Sequence, residues 1–418
     1  MFKRPKGTRD FYPEEMRLRN WLFDHFYTAA RLHGFEEYDS PILESEELYT
    51  RKQGEEITAQ LYSFEDKGGR RVTLRPEMTP SLARMVLERA TALPMPLKWF
   101  SLPQCWRYER MQRGRMREHY QWNMDVWGVE GASAEVELLA ALCGFFAGVG
   151  LGPHDVRIRV NDRRVLGSVL AGVGVSEAQF APVCIIVDKM DRLPREVIEE
   201  QLAELGLDGS VITVIQETLS IGDLDALEDA LGADSEVVAE LRALWALAEG
   251  YGISEWLDFD AGIVRGLAYY TGVVFEAVDA AGELRAICGG GRYDTLLSTF
   301  GGRDVPACGF GFGDVVIMEL LAERGLIPDL PGGIDDVVFA FSEELRGAAM
   351  QAAAALRAKG RSVDLVLEPK KLKWAFKHAE RCGAARLVML TPKEWESEKV
   401  RVKDLASGEE SDLTLDEL

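Results

Sequence analysis

Across residues 14–33 the apolar side chains fall at Met16, Leu18, Leu22, Phe23 and Phe26, the spacing of one helix face, and Gly34 follows as a stop. The pattern then changes. Residues 35–44 read as extended chain, and Pro41 within them suits an edge or interface strand. Residues 71–74 form a short strand that runs toward Thr79-Pro80, a helix start. An aromatic run, 99–108, precedes an arginine-rich loop, and over 119–126 the period becomes two. Tyr120, Trp122, Met124 and Val126 fall on one face, with Gln121, Asn123 and Asp125 on the other. Two β-rich segments joined by that loop make an antiparallel hairpin with a polar inner face and a cationic tip. Residues 132–149 return to helix, and 156–160 to a strand in which Arg157 and Arg159 alternate with apolar positions.

From 162 to 252 the pattern is helical and acidic, which predicts an inserted helical subdomain. The β-type signal resumes at 257–278 and at 286–312. PDLPGG (328–333) reads as a linker. Beyond it β-α-β-α-β alternation predicts a small α/β domain with a mostly parallel sheet. The expected organisation is a core in two parts, 1–161 and 253–327, around the insert 162–252. A linker, 328–334, then leads to a terminal domain, 335–418. The fold class is α+β.

At 418 residues and 47% hydrophobic, the chain can bury a core in each of these domains. It contains no run of eighteen apolar residues, and MFKRPKGTRDFYPEE has no apolar signal core. A soluble cytoplasmic protein, with no membrane partner, is expected. The six cysteines (105, 143, 184, 288, 308, 382) are far apart, which disfavours a disulfide framework or a zinc site. The five histidines are scattered too, so no metal ligand set is expected.

The net charge of −21 at first argues against nucleic acid. Its distribution weakens that objection: residues 191–260 hold 18 acidic and 3 basic side chains, whereas residues 98–117 hold 6 basic and 1 acidic. Local potential decides where a phosphate docks.

The densest chemistry is RYERMQRGRMREHYQWNMD (107–125), where Arg107, Arg110, Arg113, Arg115 and Arg117 are offset only by Glu109. Neither GxxxxGK[ST] nor GxGxxG occurs, so a nucleotide must be held mainly by arginines. RPEMT contributes Glu77 and Thr79, and IVRGLAYYTGVVFE joins Arg265 to Tyr269 and Tyr270. CGGGRYD offers backbone without side chains at 289–291, and GFGFGD (309–314) offers a second such place. Each cluster alone also fits a bland role: a solvated tip, a helix-start carboxylate, strand tyrosines, a bulge. Together they describe a seat for a small polar molecule beside a polyanion.

KGTRDFYP (6–13), YDSPILE (38–44), LRPEMT (74–79), the 107–125 stretch, RGLAYYTG (265–272) and GGGRYD (289–294) resemble the histidyl-tRNA synthetase family, class II aminoacyl-tRNA synthetases, over nearly the whole chain. The resemblance implies a class II antiparallel sheet flanked by helices and a C-terminal anticodon-binding domain. It implies histidine, ATP, accompanying Mg²⁺ and tRNA(His) as ligands, and a homodimer formed through the Pro41 region and the preceding helix. Arg107 and Arg265 are then the catalytic pair, clamping the α-phosphate from two sides and touching the substrate carboxylate. Glu77, Thr79, Gln121, Asp125, Tyr269 and Tyr270 hold histidine. Arg107, Glu109, Arg115 and Arg117 meet ATP. Arg110, Gln112 and Arg113, with Arg115 near them, reach the tRNA acceptor end.

Two positions depart from the family pattern. Ala268 stands where RGLDYYT has aspartate, and Val315 and Val316 stand where a glutamate–arginine pair would bind the γ-phosphate. Valine gives a phosphate no charge-assisted contact. Arg117, Arg292 and Arg303 are the replacements the sequence offers. A second function fits the same core: the catalytically inactive paralogue that serves as regulatory subunit of ATP phosphoribosyltransferase. That paralogue typically lacks the terminal domain and has lost catalytic arginines, whereas Arg107, Arg265 and an α/β terminus are present here.

Overall fold

Helix α1 (Pro13–Leu32) begins on a proline and two glutamates, residues suited to a helix N-terminus, and buries Leu22, Phe26, Ala29 and Ala30 on one face. Gly34, at φ 71°, then lets the chain turn out of it. The computed structural model describes residues 2–50, 58–172, 174–187, 193–207, 209–263, 269–330 and 332–418. Contacts divide the chain into two units: Met1–Asp10 with Arg19–Ile327, and Phe11–Leu18 with Pro328–Leu418.

In the first unit, strand β1 (Glu36–Glu37) precedes a small antiparallel sheet of β2 (Leu43–Ser45), β3 (Tyr62–Glu65) and β4 (Arg71–Leu74). Helix α2 (Thr79–Glu88) starts at Thr79-Pro80, as the sequence predicts. Strands β5 (Leu97–Ser101) and β6 (Gln104–Trp106) both pair antiparallel with β7 (Glu118–Trp127). The expected hairpin therefore forms, with residues 107–117 as its tip. Along β7, Trp122, Met124 and Val126 enter the main core, where the Trp122 and Phe26 rings stack 4.8 Å apart. Gln121 and Asn123 take the opposite face and line a cavity.

Helix α3 (Ser133–Gly148) and strand β8 (Val156–Asp162) lead into the acidic stretch. It folds as α4 (Arg163–Gly172), α5 (Glu177–Val187), α6 (Arg195–Glu204), α7 (Gly209–Leu219), α8 (Leu224–Leu231) and α9 (Glu236–Tyr251). Leu166, Leu170, Val183, Ile198, Leu202 and Ile215 give these helices a core of their own. The stretch is still not a separate body. Helix α9 sends Leu244 and Ala248 into the main core beneath the sheet, and Val165 packs with Leu241 and Phe259. A boundary at 252 thus separates α9 from the core it helps to fill, because its Leu and Ala face looks like that of its neighbours.

Strands β9 (Leu257–Phe259), β10 (Val273–Asp279), β11 (Cys288–Arg292) and β12 (Ala307–Gly313) then close the large sheet, and helix α10 (Asp314–Glu323) leaves it. The strand order is β1-β5-β7-β12-β11-β10-β8-β9, with β6 also on β7. The inner pairs are antiparallel, and the outer pairs β1–β5 and β8–β9 are parallel.

In the second unit β13 (Asp336–Ala340), α11 (Arg346–Ala358), β14 (Val363–Leu365), α12 (Leu372–Arg381) and β15 (Arg386–Leu390) form the predicted parallel β-α-β-α-β array. Val338 faces the alanines of α11 and Val337 faces Ala375 and Ala379 of α12, so both sides are covered. Strands β16 (Lys399–Asp404) and β17 (Glu410–Thr414) extend this sheet antiparallel, which the sequence reading did not foresee.

Candidate active site

A cavity of about 760 Å³ opens over the polar face of β7 and brings together segments nearly two hundred residues apart. Its apolar-polar end is built from Glu77 and Thr79 ahead of α2, Gln121 and Asn123 of β7, and three tyrosines. The Tyr269 hydroxyl donates to Glu77 Oε2 at 3.1 Å. The ring of Tyr269 lies 5.1 Å from that of Tyr270 and 5.9 Å from that of Tyr293. Burial, and then the Glu77 charge, hold the Tyr269 phenol far above its ordinary range, so it stays a donor.

Tyr293 is a site residue the sequence reading passed over, although GGGRYD contained it. It lines the cavity and donates its hydroxyl to Asp125 Oδ1. Asp125 itself stands one layer behind the wall. Burial pushes its carboxyl up to about 7, and the Tyr293 hydrogen bond opposes that rise. Glycines of β12 make this arrangement possible. Gly309 pairs with Asp125 across the strands, and a Cβ on it would overlap Asp125 Oδ1 and the Tyr293 hydroxyl. A Cβ on Gly311 would overlap the Gln121 amide.

The triple glycine of β11 does something different from what its sequence suggests. A Cβ on Gly290 would lie 2.6 Å from Phe275 Cζ, and one on Gly291 would lie 2.7 Å from the Val273 carbonyl oxygen. Those two residues allow close strand and ring packing. Gly289 is the member that lines the cavity.

The other end is cationic. Arg107 lines it, with Nε donating to the Pro76 carbonyl at 2.9 Å, and among the described residues no carboxylate lies within ion-pair distance of it. Arg115 and Glu109 also line the wall, paired at 2.5 Å. His119 is a further wall residue the sequence reading did not name. Desolvation, reinforced by Arg107, Arg9 and Arg115, lowers its imidazole to about 3, so it is neutral near pH 7. Glu276, Arg285 and, from α10, Val315 and Val316 also line the cavity. Nothing in AAGELRAICGGG distinguishes Arg285 as a site residue; only the fold brings it there.

The remaining tip residues diverge. Gln112 lines the cavity, Arg110 is exposed, and Arg113 is paired with Glu319 at 3.3 Å and with Glu323. Arg117 is outside the wall: its guanidinium lies 4.0 Å from the Tyr108 ring centroid and donates to the Glu109 carbonyl. Of the other two replacements for the missing arginine, Arg292 is buried in a bidentate pair with Glu135 at 2.5 and 2.7 Å, and Arg303 is exposed away from the cavity. Arg265 and Ala268 lie outside the described residues.

Other motif arginines hold the scaffold. Arg9 of KGTRD pairs with Asp314 at 2.9 Å and Glu118 at 3.4 Å, joining the first residues of α10 and β7. Arg75 of LRPEMT, buried, donates to Asp39, the Ser40 carbonyl and the Gln104 carbonyl. In the second unit Asp364, His378 and Cys382 offer ligand atoms within 4.8 Å of one another. His378 Nε2 and Asp364 Oδ2 are already hydrogen-bonded at 2.6 Å, and the His378 ring stacks on Trp374. Among the described residues no helix is long and apolar enough to cross a membrane.

A family model for histidyl-tRNA synthetase matches residues 7–313, and one for an anticodon-binding domain matches residues 335–418. The chain is 55% identical over 414 residues to a chloroplastic/mitochondrial histidine–tRNA ligase of Arabidopsis thaliana, covering 99% of this chain and 85% of that one. It is 41% identical to a histidine–tRNA ligase of Opitutus terrae, covering 99% and 96%. Among solved structures, a histidyl-tRNA synthetase from Nostoc sp. PCC 7120 superposes with a TM-score of 0.79 at 26% identity, covering 100% and 97%. The mostly antiparallel sheet with an arginine beside its hairpin tip, taken with these matches, makes the chain a class II aminoacyl-tRNA synthetase. The chain belongs to the histidyl-tRNA synthetase family.

Proposed function

We propose that the cavity is where histidine and ATP react, and that the chain works as a histidine–tRNA ligase. The histidine carboxylate attacks the α-phosphorus of ATP, the bond to the β-phosphate oxygen breaks, and pyrophosphate leaves. The 3′-terminal hydroxyl of tRNA(His) then attacks the histidyl carbonyl and AMP departs. The nucleophile is already charged, so catalysis is chiefly positioning and neutralisation of phosphate charge.

One observation carries the reading: Arg107, with no carboxylate within ion-pair range among the described residues, shares a cavity with Glu77, Thr79, Gln121, Tyr269 and Tyr270. Its charge is available to the α-phosphate, and Arg265 is proposed to face it. Glu77 and Gln121 orient the amino group and the imidazole, and Asp125 acts from behind Gly309. An imidazole ring in this seat meets carboxylates suited to its N–H donors. Mg²⁺ is proposed to arrive with ATP, and Glu276 in the wall is an oxygen donor of the type a hard cation takes. Arg110, exposed, and Gln112, in the wall, are the tip residues best placed for the acceptor end, because Arg113 is already paired on α10.

The match over 335–418 favours the ligase over the regulatory paralogue, which typically lacks that domain. A homodimer is proposed on the exposed Ile42, Leu43 and Phe64 around the small β2-β4-β3 sheet, which a second copy would cover; a monomer at micromolar concentration by light scattering would overturn it. The Arabidopsis relative is named for chloroplasts and mitochondria. ATP–pyrophosphate exchange with each of the twenty amino acids tests the function. Exchange dependent on histidine alone is the expected result, and dependence on another amino acid, or none, refutes it.

A further inference from the structure

The terminal phosphates of ATP need cationic partners, and the start of α10 supplies only Val315 and Val316. Among the described residues the arginines of the cavity wall are Arg107, Arg115 and Arg285. Arg107 belongs to the α-phosphate on the reading above, and Arg115 is carried on the hairpin tip beside Glu109. Arg285 lies on the segment just ahead of β11, and it is the wall arginine whose stem approaches Val316. A Cβ placed on Gly114 would lie 3.1 Å from Val316 Cγ2 and 4.0 Å from Arg285 Cδ. The Arg285 stem and the Val316 side chain therefore converge on one point of the hairpin tip. That tip is fixed to the same helix, because the Gly114 amide donates to Glu319 Oε1 at 3.1 Å.

We propose that Arg285 binds the β- and γ-phosphates of ATP, taking from a different segment the place that Val315 and Val316 leave without charge. The guanidinium offers forked donors that match phosphate oxygens. Delivered from the β10–β11 connection, its stem comes to the same point of the hairpin tip as Val316 near the start of α10. The same contact would hold pyrophosphate as it leaves, so it acts on the forward and the reverse reaction.

This assignment rests on the site reading above, and the test separates the two. Arg285→Gln in the full chain keeps the stem and removes the charge, and Arg285→Lys restores a charge without the fork. In ATP–pyrophosphate exchange, Arg285→Gln is expected to raise the KM for ATP by about tenfold or more, the loss of one charged hydrogen-bonding group. The KM for histidine stays within about twofold, and Arg285→Lys recovers part of the loss. AMP, which has only the α-phosphate, should bind Arg285→Gln and wild type equally. An unchanged KM for ATP would overturn the assignment, as would AMP and histidine weakening in step with ATP, the mark of a structural role. A wild-type chain without histidine-dependent exchange would overturn the site reading, and this assignment with it. Arg303→Gln, at an exposed position outside the wall, is expected to leave the KM for ATP unchanged.

Discussion

Tyr293 donates its hydroxyl to Asp125 behind the glycine wall of β12, and both side chains are almost completely buried. The phenol is held far above its usual range by burial and by the Asp125 charge, so it remains a donor at any physiological pH. The carboxyl is the group that titrates. Burial raises it from 3.8 to about 7, so the folded protein binds a proton there that the unfolded chain has released. Stability from this group is fully present below the unfolded value and is lost as pH rises through about 7.

Histidine binding runs the other way, because an imidazole N–H prefers a carboxylate. The KM for histidine in the exchange assay is expected to rise as pH falls below about 7. Free histidine titrates nearby and contributes to any such profile. Asp125→Asn separates the two: it should flatten the part of the profile due to the protein and leave that of the substrate. A variant profile identical to wild type would remove Asp125 from histidine recognition.

Gly290 and Gly311 make a paired test of what the glycines do. A methyl group on Gly290 meets the Gly309 carbonyl, Phe275 and Phe310, none of which can move cheaply. Gly290→Ala is expected to cost about 1–3 kcal/mol of stability in urea unfolding. At Gly311 the obstacle is the flexible end of Gln121. Gly311→Ala should leave the unfolding midpoint near wild type and raise the KM for histidine several-fold. Equal effects of both changes on stability would contradict this division.

The buried pair of Arg292 and Glu135 joins β11 to α3, away from the cavity. Glu135→Ala leaves the buried guanidinium with the half-buried Asp294, at 3.1 Å, as its remaining carboxylate, so the cost is expected to approach but not exceed the about 3–5 kcal/mol of a fully broken buried pair. Denaturant unfolding should show that loss at a temperature where the protein is still folded, with the KM for ATP unchanged. A rise in the KM for ATP without loss of stability would return Arg292 to the ATP site.

The parts of this molecule that were legible in its sequence are those set by local period. The two-residue alternation of β7 fixed which residues face the core and which face the cavity, and Thr79-Pro80 marked the start of α2. The alternation of Val400 and Val402 with Lys399, Arg401 and Lys403 was an equally regular strand signal, and it went unread. What no local pattern could supply is the fate of five similar arginines on one tip. Arg107 and Arg115 reach the cavity, while Arg113 is drawn off by Glu319 and Glu323, more than two hundred residues later. Arg285 was invisible for the converse reason. Its neighbours in sequence have nothing to do with phosphate, and its neighbours in space come from Gly114 and Val316.

The second unit carries a test of tRNA recognition that leaves the first unit's chemistry intact. Helix α12 shows one buried side, Ala375 and Ala379, and an exposed side with Lys373 and Lys377, and Lys370 and Lys371 stand just before it. Trp374 is partly exposed among these lysines, with His378 stacked 4.5 Å beneath it. An exposed ring bordered by cations can stack an unpaired base while the lysines meet phosphates. Lys371→Glu with Lys373→Glu is therefore expected to lower charging kcat/KM for tRNA by about tenfold, with a larger deficit at low salt than at high salt. Neither residue packs in the domain core, so the unfolding midpoint should hold. ATP–pyrophosphate exchange, which needs no tRNA, should also be unchanged. If exchange fell as far as charging, the lysine face would be supporting the fold and not the anticodon.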